Sequence, residues 1–298
     1  MDLFKFAQGQ NLPNKSLYVV ATPIGNLADI SIRALYILNQ VDGIACEDKR
    51  HSSALLNAYG ISKPLYALHE HNEKTASAHI IQKLNDGERW AYVSDAGTPG
   101  VSDPGAVLVE AVREAGLLAI PIPGASALTT AISVAGNFLQ EMEGRFQFLG
   151  FLPSKATQRE LVIETAAKTP TCSFFYEAPH RIEATLKTIH QSLAKHKKVL
   201  IAKELSKIHE HVIVIQAGQI LDWMNTQDSW QGEYVLGIEG QLKEAKSLDF
   251  DENTLAWIHS LNEHLSHKDL SEVVAEVSGI SKKEVYKQLL NLKDNQDK

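Results

Sequence analysis

From Ser16 onward the chain alternates short apolar runs with amphipathic stretches. Leu17–Thr22 is apolar and runs into Thr22-Pro23-Ile24-Gly25-Asn26, which predicts a strand followed by a tight turn. Ile30–Asn39 carries Ile30, Ala34, Ile37 and Leu38 at helical spacing, with Asn26 or Asp29 as its candidate cap. Further strands are predicted at Asp42–Cys46, Pro64–Leu68, Trp90–Ser94 and Leu117–Ile122. Helices fit Ser52–Ala58, Ala76–Leu84 and Pro104–Ala115, the last with Pro in its first turn and Gly116 just beyond its end. Such alternation implies a largely parallel sheet covered by helices.

Pro121-Ile122-Pro123-Gly124-Ala125 reads as a hinge. Beyond it, helices are expected at Ser126–Ala135, Ala156–Ala167 and Pro179–Leu193. Strands are expected at Phe146–Leu149, Ser173–Tyr176, Val199–Ala202, His211–Gln216 and Tyr234–Glu239. The last two allow an antiparallel pair, so the second sheet is expected to be mixed. After Gly240 a polar, charged stretch over 243–252 precedes three short helices within 253–292. Ser271–Val277 and Ser281–Leu292 are the clearest, and Ser281 with Glu284 has capping-box spacing. The expected organisation is an α/β domain over 1–122, a second over 123–240, and a linker with a small helical domain over 241–298.

Composition narrows the class without naming a function. Hydrophobic residues make up 44% and charged residues 22%, enough apolar material for packed cores. Cys46 and Cys172 are the only cysteines and form no C-x-x-C, so neither a disulfide framework nor a cysteine-rich zinc site is expected. The N-terminus lacks an apolar signal core, and no apolar run reaches membrane-spanning length; the expectation is a soluble, cytoplasmic protein. Net charge is −7, and none of the three segments is basic, so any nucleic-acid contact must use a local patch.

Chemistry concentrates at the strand ends. Ser94-Asp95-Ala96-Gly97-Thr98-Pro99-Gly100-Val101-Ser102-Asp103-Pro104-Gly105 follows a strand and opens a helix. Its three glycines let backbone approach a ligand, at the place where open α/β sheets bind ligands. It matches neither G-x-G-x-x-G nor the P-loop, so a phosphate-cofactor enzyme is disfavoured. As a plain turn it would use Asp103 as the helix cap. The Gly25 turn and Pro123-Gly124-Ala125-Ser126-Ala127 are weaker signals that gain weight if all three converge on one cleft. Cys46-Glu47-Asp48-Lys49-Arg50-His51 serves equally well as acid–base and phosphate-contacting chemistry or as a helix N-terminus with favourable acids. His69-Glu70-His71 and His209-Glu210-His211 lack a third ligand, so no metal is expected. Lys155, Arg159, His180 and Arg181 are basic positions around the second domain's first strands. Phe174 and Tyr176 beside them read as strand core.

Taken together, LYVVATPIGNLADISIRAL, the ED-RH segment with HEHNE, VSDAGTPGVSDPG, PIPGASAL, GFLPSK, FYEAPHRI, KELSKIHE and VLGIEG resemble the tetrapyrrole methylase superfamily, in its branch acting on small-subunit ribosomal RNA. The resemblance implies a tetrapyrrole methylase-like fold of two α/β domains with S-adenosylmethionine in the cleft between them, a small C-terminal helical domain, and a homodimer. It implies cofactor contact at Pro23, Gly25, Asp95, Gly97, Thr98, Pro99, Ser102, Asp103, Ser126, Ala127, Tyr176 and Leu205. The implied reaction is 2′-O-methylation of a decoding-region cytidine in 16S rRNA on the assembled small subunit. Glu47, Asp48, Asp103 and Glu177 are the candidate bases, unranked. Arg50, His51, Lys155, Arg159, His180 and Arg181 are the candidate RNA contacts. The chain departs from the family's usual strings at Lys49 and Ala125, and has few basic residues after GFLP. A tetrapyrrole-methylating enzyme and a non-catalytic ribosome-binding protein are the competing readings.

Overall fold

The computed structural model describes residues 3–69, 71–242, 252–262, 264–278, 281–283, 285, 286 and 289. In chain order the first elements are β1 (Ser16–Val20), α1 (Ile32–Gln40), β2 (Gly43–Cys46), α2 (Lys49–Ala58), β3 (Leu65–Ala67), α3 (Glu73–Asn85), β4 (Arg89–Val93), α4 (Ala106–Glu114) and β5 (Leu118–Ile122). Then follow α5 (Ala127–Ser133), α6 (Asn137–Gln140), β6 (Phe146–Phe151), α7 (Ala156–Ala166), β7 (Cys172–Glu177), α8 (Ile182–Ser192), β8 (Lys198–Lys203), β9 (His211–Gln216), α9 (Ile220–Met224) and β10 (Tyr234–Ile238). Helices α10 (Glu252–Asn262) and α11 (His267–Ser278) come last.

The first sheet has order β3-β2-β4-β1-β5 and is parallel throughout. Its strands read as unbroken apolar runs because both faces are covered. Along β1, Tyr18 and Val20 pack with Ala34, Ile37 and Leu38 of α1. Leu17 points the other way, to Ile80 and Leu84 of α3 and Leu108 and Val112 of α4. The connections out of neighbours β1 and β4 leave in opposite directions, to β2 and to β5. A crevice at the carboxyl ends of such a strand pair is where open α/β sheets place ligands.

The second sheet has order β6-β7-β10-β8-β9, with only β6–β7 parallel. It is mixed, as expected, but not through the expected pair. Strands β9 and β10 do not touch; both lie antiparallel to β8, which sits between them. One face carries α7, α8 and α9 through Ile163, Leu186, Ile189 and Ile220. On the other, Phe138 of α6 meets Phe174 edge-on at 6.0 Å.

Residues 1–241 form one compact unit and 242–298 a second. In the second, Ile258 of α10 and Leu270 and Val274 of α11 pack with Val285 and Leu289. The helix expected at Ser271–Val277 is the longer α11. Glu284 of the expected capping box lies outside the described residues, as do Glu70 and most of the expected linker. Among the described residues no helix is long and apolar enough to cross a membrane.

Two caps differ from expectation in ways that matter for the site. Asn26 caps a 3-10 turn at Leu27–Asp29, and Ser31 caps α1 by accepting from Ala34 N–H at 3.0 Å. Asp103 does not cap α4; Gly105 takes that position at φ 115°, so Pro104 and the residues before it remain loop. The Gly105 N–H donates instead to Glu73 Oε1 at 2.7 Å, and Tyr92 OH donates to Pro104 O at 2.7 Å. A Cβ at Gly105 would collide with the Tyr92 ring. Gly105→Ala is therefore expected to cost at least about 2 kcal/mol, combining left-handed strain with overpacking. A urea titration checks it, and an unchanged midpoint would remove this anchor from the account.

Candidate active site

Three turns leave the carboxyl ends of β1, β4 and β5, and backbone hydrogen bonds hold them to one another. Thr22 N–H donates to Gly97 O at 2.8 Å, and Gly97 N–H donates back to Thr22 O at 3.1 Å. The Thr22 hydroxyl donates to Ser94 O at 3.3 Å, and the Thr98 hydroxyl to Ala125 O at 2.9 Å. Gly97 sits at φ 78°, where a Cβ would lie 3.1 Å from Ile24 Cγ2, so glycine is required by both conformation and space. Ser102, further along the same loop, holds φ 66°, a conformation that costs a non-glycine residue about 1–2 kcal/mol. Backbone strain of this kind concentrates at ligand-binding loops.

The second sheet closes over this rim. Leu128 N–H, in the first turn of α5, donates to Tyr176 OH of β7 at 3.3 Å. Leu205, after β8, and Tyr234, opening β10, complete the enclosure. The result is a cavity of about 280 Å³ lined by Ile24, Gly97, Thr98, Ser102, Asp103, Ser126, Ala127, Tyr176, Leu205 and Tyr234, among others. Tyr234 pairs with Glu177, and its ring packs in the helix-covered core, on the sheet face opposite Tyr176 and Val235.

Eight of the expected cofactor contacts, namely Gly97, Thr98, Ser102, Asp103, Ser126, Ala127, Tyr176 and Leu205, line this cavity. Pro23, Gly25, Asp95 and Pro99 stand behind them. Asp95 Oδ1 accepts from Asp48 N–H at 3.2 Å, and the Lys207 stem lies across Gly25. Ile24, inside the Pro23–Gly25 turn, lines the cavity too, whereas Phe151 and Glu233–Val235 are not marked by the sequence. Nothing local marks β10's first residues as site residues; only their pairing between β7 and β8 brings them there.

The four candidate bases separate. Glu177 borders the cavity but is fully occupied. Its Oε1 lies 3.0 Å from Arg181 Nε and accepts from Ala178 N–H at 2.9 Å, and its Oε2 accepts from Thr185 Oγ1 at 2.7 Å. Asp48 is the N-cap of α2, accepting from Arg50 N–H at 2.7 Å. Hydrogen bonds from the Arg50 side chain and backbone hold its carboxyl below the usual range, which makes it a weak base. Burial raises Asp103, with Asp95 adding to the effect and the Ser94 hydroxyl opposing it. Burial also raises Glu47, reinforced by Asp95, Asp103 and Asp48. Of these two, only Asp103 lines the cavity.

The expected RNA contacts divide as well. Arg50, His51, Lys155 and His180 are exposed. Arg181 is turned inward, donating to Leu152 O and Glu177 Oε2. Arg159 is only 7% exposed and its Nη1 donates to Ser154 O at 3.3 Å. The Arg181 guanidinium is held by the Leu152 carbonyl and the Glu177 carboxylate, whereas Arg159 keeps a buried Nε with no hydrogen-bond partner.

Residues 16–221 match the family model described as Tetrapyrrole (Corrin/Porphyrin) Methylases. The chain belongs to this tetrapyrrole methylase family. Among curated relatives, "Ribosomal RNA small subunit methyltransferase I" of Pasteurella multocida (strain Pm70) is 41% identical over 271 residues, covering 91% of this chain and 95% of that protein. The protein of the same name from Escherichia coli O157:H7 is 40% identical over 275 residues, covering 92% and 94%. Among solved structures, the methyltransferase CobJ superposes with a TM-score of 0.54 at 18% identity, over 74% of this chain and 92% of that one. Cobalt precorrin-4 methyltransferase CbiF gives 0.50 at 15%, over 75% and 94%. These likenesses establish the tetrapyrrole methylase fold, with its two α/β parts and a C-terminal helical part.

Two outcomes follow. Because Asp103 is raised, the folded protein holds its proton more tightly than the unfolded chain does, and ionisation costs stability as pH rises past the unfolded value of about 4 through the folded one. Asp103→Asn should therefore melt higher than wild type at pH 7, with the gap closing on acidification toward pH 4; a pH-independent gap would contradict the assignment. Arg181→Ala leaves the fully buried Glu177 carboxylate without its cation, an expected loss of about 3 kcal/mol measurable by denaturant unfolding. Unchanged stability would restore Arg181 as a surface contact.

Proposed function

We propose that the chain transfers a methyl group from S-adenosylmethionine to the ribose 2′-hydroxyl of a cytidine in the decoding region of 16S rRNA. The assembled small ribosomal subunit is the substrate, and the protein acts as a homodimer in the cytoplasm. The reading is carried by the likeness, over about nine-tenths of the chain, to proteins named for small-subunit ribosomal RNA methylation. Within it, Pro121–Ala125 is the hinge between domains of residues 1–122 and 123–240, and residues 241–298 are the appended part.

The cavity suits this cofactor. Its walls combine apolar surface at Ile24, Val101, Leu205 and Val235 with the polar groups of Thr98, Ser102 and Ser126 and the carboxylate of Asp103. A cationic sulfonium attached to an apolar, hydrogen-bonding nucleoside needs this mixture. When bound, S-adenosylmethionine supplies a methyl carbon already activated toward nucleophiles. The remaining work belongs to the protein. The joined turns at Thr22, Gly97 and Ala125 fix the cavity, so an acceptor oxygen can be held in line with that carbon, the largest single contribution available. Asp103 takes the proton of the ribose hydroxyl, a poor nucleophile while neutral, and burial with Asp95 nearby makes it a stronger base than a free carboxylate. Arg50, His51, Lys155 and His180 are the contacts offered to RNA; Arg181 and Arg159 shape the protein behind them.

The test is methyl transfer from labelled S-adenosylmethionine to small subunits lacking the modification, with naked rRNA alongside. One decoding-region cytidine that becomes resistant to alkaline cleavage is the expected result. Incorporation into a tetrapyrrole, with none into subunits, would overturn the reading.

A further inference from the structure

Strand β6 lies at the edge of the second sheet, and its register is broken at a telling place. Phe148 pairs with Phe174 and Phe151 with Tyr176, so three residues of β6 span two of β7. Gly150 absorbs the extra residue at φ 69°, close to Ser102 of the ligand loop, whose Oγ would lie 3.2 Å from a Cβ there. In a regular strand Phe148 and Phe151 would face opposite sides of the sheet. The bulge instead lets both rings meet Tyr176 edge-on, Phe148 at 4.8 Å and Phe151 at 5.7 Å between centroids. Bulges beside active sites commonly re-aim one side chain in this way.

Phe151 is thus an aromatic ring on the cavity wall that nevertheless remains 53% exposed. At this exposure the ring forgoes about half of the roughly 1.5–3 kcal/mol that full burial supplies, and a strand without the bulge would not present the ring here. Tyr176 meets the ring at a steep 69° and is itself held by Leu128 N–H, while about half of Phe151 stays open to a flat partner. Proteins that act on single RNA nucleotides unstack them and seat the base on such aromatic faces. We propose that Phe151 is the platform on which the base of the target nucleotide stacks, holding its ribose over the cavity. The inference rests on the RNA-methylating reading above and names the residue that recognises the substrate.

The test uses the full-length protein as Phe151→Ala, Phe151→Leu and Phe151→Tyr. Three quantities are read: S-adenosylmethionine affinity by calorimetry, small-subunit binding by co-sedimentation, and KM and kcat for methyl transfer. Phe151→Ala and Phe151→Leu should weaken subunit binding and raise the subunit KM about tenfold, the size of one base–aromatic stack, and change cofactor affinity by much less than that. Phe151→Tyr should restore both. A loss of cofactor affinity in Phe151→Ala as large as its loss of subunit binding would make Phe151 a cofactor contact only and overturn the proposal. Subunit binding and KM unchanged in Phe151→Ala would overturn it equally. Wild-type protein that fails to methylate subunits would instead sink the underlying function.

Discussion

Thr22 and Gly97 exchange backbone hydrogen bonds across the ends of two neighbouring parallel strands, at 2.8 and 3.1 Å. Strand ends normally diverge into their connections, and here those of β1 and β4 leave in opposite directions. The mutual bonds hold together what the topology would separate. Every other feature of the site is referred to this pair. Thr98 carries the constraint on to Ala125, Ile24 packs where a Gly97 side chain would stand, and α5 begins from the fixed hinge with its Leu128 N–H aimed at Tyr176. That last bond ties the second sheet to the hinge. A cavity enclosed in this manner is set by backbone geometry, and its few side chains can be chosen for chemistry.

The charge in the cavity follows from the same geometry. Glu47, Asp48, Asp95 and Asp103 converge at the ends of β2 and β4 because those strands are adjacent. Their fates differ with their surroundings. Asp48 is neutralised as a helix cap beside Arg50 and Asp95 is engaged by Asp48 N–H, while Glu47 and Asp103 are raised by burial and by their neighbours. Glu177, though also a carboxylate on the cavity's edge, is held by Arg181 and Thr185 as a structural group. One location thus contains carboxylates with distinct duties, separated by hydrogen bonding and burial.

Much of the first sheet was legible from sequence because both of its faces are covered. Runs such as Leu17–Thr22 and Trp90–Ser94 are apolar at successive positions, and the glycine-rich loop at Asp95 stands out against them. The second sheet was harder. Its strands could be found, but the insertion of β8 between β9 and β10 depends on long-range pairing that no local pattern encodes. Asp103 looked like a cap because it precedes Pro104; the Glu73 carboxylate, brought in from α3, moved the helix start to Gly105. Arg181 looked like surface because α8 begins beside it, and Glu177, four residues earlier, drew it inward. Phe151 gave no signal, since a bulge cannot be seen until the neighbouring strand is in place.

The central claim is that the cavity between the joined turns and the second sheet is the S-adenosylmethionine site. The most direct measurement is calorimetric titration of S-adenosylmethionine into wild type and into Ala127→Phe, which sets a phenyl ring on a lining residue of the roughly 280 Å³ cavity at the first position of α5. The account predicts one cofactor bound per wild-type chain and none by the variant, with the variant still folding cooperatively. Equal binding by both proteins would place the cofactor elsewhere and contradict it.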